Sequence, residues 1–233
     1  MKYSEAKKDP RYVNGINFGG NHKLVNNDST RFMIWNLPAV STCPYATEHC
    51  KKACYACKAE RMYPGCRESR ERNYVRSRST DFVRDMIFTI RAELETKKFA
   101  GKHVIFRIHE SGDFYNETYL RKWVKIASAF ENDDRITFIA YTKSIFYLPM
   151  VGYNSEEWPE NFVIRSSLWD DTCKKALILT DVLNIPVYTA LSASDMAKAE
   201  KSGLQFEKCR CEDCATCGKC WDKNIKTIIT YIH

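Results

Sequence analysis

Apolar residues recur along the chain in two different periods, and these periods predict strands separated by helices. Short apolar runs bounded by turn residues are typical of strands, whereas apolar positions that return every three or four residues are typical of one helix face. Strands joined by single helices favour right-handed crossovers and a parallel sheet. The pattern therefore predicts an α/β chain, folded either as a partial (βα)6 barrel or as an open parallel sheet. The predicted strands are residues 32–37, 103–109, 135–141, 162–166, 186–191 and 227–232, and the predicted helices are residues 67–98 (with Thr80 as N-cap), 118–130 and 171–183.

No repeat or linker divides the 233 residues, which are enough for one well-buried core. We predict a single α/β domain over residues 1–233, with a loop or short hairpin in its first 30 residues. Two cysteine-rich segments interrupt the α/β pattern. They are a cluster loop at residues 43–66 and a C-terminal cluster segment at residues 205–222.

Cysteine is the part of the composition that most changes this picture. No apolar run is long enough for a transmembrane helix, and the first residues lack the apolar stretch of a signal peptide. We therefore expect the protein in a reducing cytoplasm, with no membrane partner. Eleven cysteines, an odd number gathered in clusters, are better explained there by metal binding than by disulfides.

Polar residues follow the predicted strands, where a parallel α/β protein carries its chemistry at the C-terminal strand ends. We predict that some of these side chains bind or transform substrate and that others bind a cofactor. The predicted catalytic residues are His109, Glu110, Asp113 and Lys143, and the predicted cofactor-binding residues are Ser111, Gly112, Arg165 and Ser167.

The first cysteine cluster comprises Cys43, Cys50, Cys54 and Cys57. Its C-x3-C-x2-C part resembles the spacing of radical S-adenosylmethionine enzymes, in which three thiolates hold a [4Fe–4S] cluster and an open iron binds S-adenosylmethionine. Three thiolates from a short segment can converge on one such centre. The alternative is a structural zinc loop without catalysis.

The second cluster places Cys211, Cys214, Cys217 and Cys220 at successive x2 spacing, with Cys209 in reserve. This compressed run resembles the ferredoxin-type arrangement and favours an iron–sulfur cluster over zinc, which usually takes two separated knuckles. The two cysteine clusters would hold two centres, or share one.

Positive charge is concentrated in residues 51–78, which hold nine basic residues against three acidic ones in a chain of net charge +7. Tyrosines are interleaved with them. The segment is therefore a candidate nucleic-acid contact, and the alternative is a solvated helix face with local ion pairs. The oligomeric state is not predicted.

Several blocks resemble a phage-encoded family, the gene-product-88-like proteins. The opening motif is Trp35-Asn36-Leu37-Pro38-Ala39 followed by Cys43, Cys50 and Cys54, and residues 107–114 are similar to the family's Arg-x-His-x-Ser-Gly-Asp signature. Cys214, Cys217, Cys220-Trp221 and the closing His233 are similar to the ending of its cysteine-rich members. The resemblance implies a phage or prophage origin, hence the host cytoplasm, and functional roles for the Ser-Gly-Asp block and His233.

Three functions are compatible with these observations. The first is an iron–sulfur enzyme similar to radical S-adenosylmethionine enzymes. The second is a non-catalytic iron–sulfur or zinc protein that binds nucleic acid through residues 51–78. The third is an iron–sulfur enzyme that uses an open iron as a Lewis acid for hydrolysis.

Overall fold

An eight-stranded open sheet forms the centre of the computed structural model, which describes residues 2–20, 23–209 and 213–231. Cys211 and His233 lie outside these residues. The strands lie in the order β1-β2-β3-β4-β5-β6-β8-β7, and all neighbours are parallel except β1 and β2. The strands are β1 (Ile16–Asn17), β2 (Thr30–Trp35), β3 (His103–Ile108), β4 (Ile136–Thr142), β5 (Phe162–Leu168), β6 (Val187–Leu191), β7 (Glu207–Lys208) and β8 (Thr227–Tyr231).

Nine α-helices and three short 3₁₀ helices surround this sheet within the described ranges. The α-helices are α1 (Tyr3–Ala6), α2 (Glu48–Lys52), α3 (Tyr55–Met62), α4 (Pro64–Arg78), α5 (Phe82–Leu94), α6 (Glu117–Ser128), α7 (Lys174–Val182), α8 (Ala193–Lys201) and α9 (Cys214–Cys217). The 3₁₀ helices are Ile145–Tyr147, Pro149–Val151 and Lys219–Trp221. None of the helices in the described part of the chain has both the length and the apolar character required to cross a bilayer.

One face of the sheet, which we call the helix face, carries the large core. Alternate strand residues such as Trp35, Phe106 and Phe138 pack there against α5 and α6. Trp123 of α6 contacts both Phe82 and Phe106, with ring centroids 5.7 and 5.4 Å apart. Aromatic pairs at such separations add to the free energy that burial itself supplies.

The opposite face, which we call the thiol face, has a smaller core and is covered by the C-terminal cysteine-rich segment instead of by α5 and α6. Phe32, Ile105, Ile139 and Val163 form this core, because residues of alternating parity point to opposite faces of a strand. Cys214, Ala215, Cys220 and Trp221 of the C-terminal segment pack on it. Phe32 and Trp221 meet edge to face, with ring centroids 6.2 Å apart. The cysteine-rich segment thus covers the side of the sheet that the large core leaves open.

The predicted fold class is confirmed. All six predicted strands are present as β2, β3, β4, β5, β6 and β8, in an open, mostly parallel sheet rather than a closed barrel. Two further strands, β1 and β7, were not predicted, and β1 pairs antiparallel with β2.

Three predictions, two about helices and one about the cluster loop, need correction. Residues 67–98 form two helices, α4 and α5, because the backbone breaks at residues 79–81. The N-cap of α5 is Asp81, not Thr80. The cluster loop at residues 43–66 contains α2 and α3 and the start of α4, so several of its thiols are held on helices.

Candidate metal centre and strand-end site

Ten of the eleven cysteines belong to the described residues, and all ten are free thiols. They divide into an N-terminal group (Cys43, Cys50, Cys54 and Cys57) and a C-terminal group (Cys209, Cys214, Cys217 and Cys220), with Cys66 and Cys173 apart on α4 and before α7.

The C-terminal group is built by short elements that fold over the thiol face. The Asp213 carboxylate caps α9 by accepting hydrogen bonds from the backbone N–H groups of Ala215 and Thr216. Gly218 ends the helix in the left-handed conformation, with φ +69°, and the chain turns into the 3₁₀ helix that carries Cys220. The N–H of Cys209 donates to the carbonyl of Ile229, which places that thiol at the edge of β8.

The thiols of the C-terminal group influence one another electrostatically. Burial, followed by the charges of Cys220, Cys209 and Cys217, raises the pKa of Cys214 to about 12. Burial also raises the pKa of Cys220, while the Tyr141 hydroxyl, Arg107 and Arg165 oppose that shift. Without a cation the thiols of Cys214 and Cys220 therefore keep their protons near pH 7.

Arg165 of β5 fixes the segment that carries Cys220. Its side chain is fully buried. Its Nε donates to the carbonyl of Cys220 at 2.6 Å. Its Nη atoms donate to the carbonyls of Ile225 at 2.8 Å, Lys219 at 3.1 Å and Asp222 at 2.8 Å. The Arg165 guanidinium thus donates to four backbone carbonyls, and the cofactor-binding role given to Arg165 stays a prediction.

The N-terminal thiols lie in the connection that follows β2. Cys50 is on α2, where its N–H donates to the N-cap Thr47 side chain, and Cys54 is the N-cap of α3, which carries Cys57. Burial, followed by the Asp113 charge and with a contribution from Cys50, raises the pKa of Cys43 to about 12. Burial and a hydrogen bond with Cys54 raise the pKa of Cys57 to about 11. A hydrogen bond thus links Cys54 with Cys57, while Cys50 influences Cys43 through its charge alone.

Asn36 joins the ends of β2 and β3. Its side-chain oxygen accepts hydrogen bonds from the N–H groups of Glu110 and Ser111, at 2.7 and 3.0 Å. The Ser111 hydroxyl donates to the Leu37 carbonyl at 2.8 Å, and Gly112 follows with φ +85°. Ser111 and Gly112, predicted to bind a cofactor, lie in the packing between these two loops.

Four strand-end residues come together as predicted from their positions. Asp113 is buried, and its carboxylate accepts hydrogen bonds from the Thr142 hydroxyl at 2.5 Å and the Lys143 N–H at 2.9 Å. The Lys143 ammonium donates to the Ser167 hydroxyl at 3.0 Å. Cys43 is close enough to Asp113 and Lys143 for both charges to shift its pKa. A thiol, a carboxylate, an ammonium and a hydroxyl thus share the ends of β3, β4 and β5.

His109 and Glu110 lie apart from this group. The His109 ring is buried on the helix face, with its Nε2 3.0 Å from the Tyr119 hydroxyl and its centroid 5.0 Å from that of Phe114. Burial lowers the pKa of His109 to about 3, so the imidazole is neutral near pH 7. The Glu110 carbonyl accepts a hydrogen bond from the Tyr55 hydroxyl at 2.6 Å. The catalytic roles given to these residues stay predictions.

Sequence reasoning missed the aromatic and basic residues around the C-terminal thiols. Arg107 lies 3.6 Å from the ring centroid of Tyr141, and the rings of Tyr141 and Tyr188 are 4.7 Å apart. Tyr188 is close to both Cys209 and Cys220. The sequence signal for residues on the thiol face is the alternation of side chains along a strand. Arg107, Tyr141 and Arg165 alternate with residues of the helix-face core and therefore point to the opposite face.

A second missed contact docks α2 on the loop after β5. The His49 Nδ1 lies 2.8 Å from the Asp170 carboxylate, and its N–H donates to Asp171 at 2.9 Å. Asp170 raises the pKa of His49. Among the described residues, these three form the one set of His, Cys, Asp and Glu ligand atoms that all lie within 4.8 Å of one another.

The basic segment at residues 51–78 presents exposed apolar side chains beside its charges. Tyr55, Met62, Tyr63 and Val75 are 58%, 63%, 60% and 69% exposed. Four of its basic residues form ion pairs: Lys51 with Glu48, Arg70 with Glu60, Arg72 with Glu68 and Arg76 with Asp85. Within the described ranges, Lys52, Lys58, Arg61, Arg67 and Arg78 have no carboxylate partner.

These features define an open, mostly parallel α/β protein with free thiols on one sheet face and in the connection after its first parallel strand. The chain belongs to the gene product 88 family, whose model matches residues 7–223. This confirms the predicted phage family, and it gives no support to the resemblance to radical S-adenosylmethionine enzymes.

Two curated relatives are phage proteins. The Gene 88 protein of Mycobacterium phage D29 is 31% identical over 152 residues, which cover 61% of this chain and 58% of the relative. The Gene 88 protein of Mycobacterium phage L5 is 29% identical over 148 residues, with the same two coverages. The chain thus spans 58% of the length of these relatives. No solved structure matches it.

Proposed function

We propose that this protein binds an iron–sulfur cluster through its C-terminal thiols and a second one through its N-terminal thiols. The observation that carries the proposal is the packing of free thiols from one short segment on the thiol face, where three other thiols influence Cys214. Thiolates are the ligands of iron–sulfur clusters and of structural zinc, so either metal suits the donor set.

The sequence spacing of the thiols supports iron–sulfur over zinc. Cys211, Cys214, Cys217 and Cys220 follow one another with two residues between each pair. Such a compressed run is typical of iron–sulfur clusters, whereas structural zinc usually takes two separated knuckles.

Iron content tests this proposal directly. We expect chain purified without oxygen to be brown and to contain about eight iron atoms, about four for each cluster, with matching sulfide. The double variant Cys214→Ser/Cys220→Ser is expected to lose the C-terminal cluster, and Cys50→Ser/Cys54→Ser the N-terminal one. Metal analysis, sulfide assay and visible absorbance measure these losses.

The matched control is Cys173→Ser, because Cys173 is an exposed thiol outside both groups. It is expected to keep all the iron. Colourless protein with zinc in place of iron, or equal iron in the control and in both double variants, would contradict the proposal.

The same sample separates the two reactions predicted for an open iron. A radical reaction requires the reduced N-terminal cluster to cleave S-adenosylmethionine, whereas Lewis-acid hydrolysis does not use it. In either reaction Asp113, Lys143 and Ser167 would contact the substrate. The effect of the Asp113 and Lys143 charges on Cys43 and the hydrogen bond from Lys143 to Ser167 support this role. Intact, unbound S-adenosylmethionine after incubation would exclude the radical reaction.

We also propose that residues 51–78 bind single-stranded nucleic acid. The supporting observation is the combination of exposed Tyr55 and Tyr63 with exposed basic side chains such as Lys58, Arg61 and Arg67 that no described carboxylate pairs. Cations neutralise phosphates, and exposed aromatic rings stack on unpaired bases.

Salt dependence tests this second proposal. For about four phosphate contacts to a single strand, log affinity is expected to fall with log salt at a slope of about −3. The variant Arg61→Gln/Arg67→Gln should make the slope less steep by about 1.4. The control Lys174→Gln/Lys175→Gln removes the same charge from exposed positions on α7 and should leave the slope unchanged. Fluorescence anisotropy with labelled oligonucleotides measures the affinity, and equal slopes in both variants would refute the proposal.

A further inference from the structure

Two guanidinium groups are built into the thiol face without a carboxylate partner among the described residues. Arg165 is fully buried, and its four hydrogen bonds go to carbonyl oxygens, which leave its charge in place. An isolated charge in a protein interior is costly unless an opposite charge offsets it. The charge of the exposed Asp222 side chain offsets part of this cost without forming an ion pair with Arg165. Among the described residues, no carboxylate contacts the guanidinium directly, so a closer anion would stabilise it further.

Arg107 of β3 is the second of these groups. It is half-buried and stacks on the Tyr141 ring at 3.6 Å, and its Nε donates to the His109 carbonyl at 3.1 Å. Within the described ranges, no carboxylate lies at ion-pair distance from it. Tyr141 packs on the same core as Cys214 and Cys220, so Arg107 approaches the C-terminal thiols from the sheet side.

The C-terminal thiols are the groups that can supply the missing negative charge. As neutral thiols they supply none. Four thiolates on a zinc ion, or on a four-iron cluster with a core charge of 2+, carry a net charge of about −2. Two guanidinium groups offset that charge, and Arg165 already holds the carbonyl of Cys220.

We propose that Arg107 and Arg165 form the cationic half of a site for an anionic, all-thiolate metal centre on the thiol face. The inference rests on the proposed metal binding and extends it, because it assigns the charge of the centre and two residues that stabilise it without ligating the metal. The thiolates come from Cys209, Cys214, Cys217 and Cys220.

Arg107 is the better residue to test, because it makes one hydrogen bond to the backbone where Arg165 makes four. The test uses full-length chain carrying Cys50→Ser/Cys54→Ser, reconstituted with iron and sulfide, so that the C-terminal centre remains. The rate at which a ferrous-iron chelator removes the metal is expected to rise about tenfold in Arg107→Gln, the effect of about 1.4 kcal/mol. The reduction potential should fall, by about 59 mV for a tenfold change in a one-electron couple.

Two further variants separate charge from shape. Arg107→Lys retains the charge and is expected to restore slow iron loss and the original potential. Arg121→Gln removes a guanidinium from an exposed position on α6 and should behave as the parent chain. If Arg107→Gln releases iron at the parent rate, or Arg107→Lys fails to restore it, the inference is wrong while metal binding stands. If the parent chain takes up no metal, the proposed function itself fails.

Discussion

Replacing Arg165 with methionine is expected to destabilise the protein by about 2–4 kcal/mol and to release residues 213–222 from the sheet. The guanidinium donates to the carbonyls of Cys220, Ile225, Lys219 and Asp222. Methionine removes the donor to the carbonyls of Cys220 and Ile225, whereas those of Lys219 and Asp222 keep the N–H groups of Asp222 and Ile225 as donors. Urea unfolding measures the loss of stability. The rate at which a thiol reagent modifies the C-terminal cysteines of the metal-free chain measures the release.

The matched control is Arg135→Met. Arg135 is a partly exposed guanidinium that pairs with Asp133 at 2.8 Å and Glu95 at 3.4 Å. Surface pairs of this kind contribute less than about 1 kcal/mol. Equal losses in both variants, or unchanged thiol reactivity in Arg165→Met, would show that Arg165 does not hold the segment.

A methyl group at Gly112 is expected to cost about 2–5 kcal/mol of stability in Gly112→Ala. Gly112 has φ +85°, where residues with a side chain are strained, and an added Cβ would lie 2.6 Å from the Leu37 Cβ and 2.7 Å from the Thr42 hydroxyl oxygen. Leu37 is fully buried and cannot move without disturbing the core. Because Thr42 precedes Cys43, the variant should also bind less of the iron that we propose for the N-terminal thiols.

Gly65→Ala is the control for the Gly112 variant. Gly65 lies in α4, and an added Cβ would meet no atom within 4 Å. Alanine there should leave stability unchanged or raise it by up to about 1 kcal/mol. Urea midpoints of the two variants decide the matter, and a Gly112→Ala protein as stable as the parent chain would contradict the packing described here.

The long strands could be predicted from the sequence because their pattern is local. β2, β3, β4 and β5 each combine apolar runs with a polar strand end. The two missed strands, β1 and β7, have two residues each, too few for a period to show. They are strands because they pair with β2 and β8, and this long-range pairing cannot be seen in the local sequence pattern.

The helix boundary at residues 79–81 shows a different limit. Phe82, Met86 and Ile90 continue a helical period, so the sequence predicts one helix, while α4 before the break is polar and buries Arg70, Asn73 and Ser77. Asn73 is held there because its amide donates to the carbonyls of Gly15 and Asn36. Such long-range contacts override the local period.

The sequence predicted which polar side chains lie at the strand ends better than it predicted which groups those side chains contact. Strand-end logic gathered Asp113, Lys143 and Ser167 correctly, because parallel strands bring their C-terminal ends to one edge. The strand-end argument could not show that the His109 side chain lies in the helix-face core. His109 has φ +67°, which turns its side chain away from the sheet face that strand alternation predicts. Nor could that argument show that Arg165 binds backbone 54–60 residues away.

The cover of the thiol face has a consequence for how the chain is made. β2 to β5 carry that face, and the segment that covers it follows β6 in the chain. Because a nascent protein folds from its N-terminal side, the helix-face core can form while Phe32, Ile105 and Val163 still face water. We therefore expect ribosome-bound intermediates to expose this surface to chaperones, and the thiols of Cys214 and Cys220 to pack on the sheet only late in biogenesis.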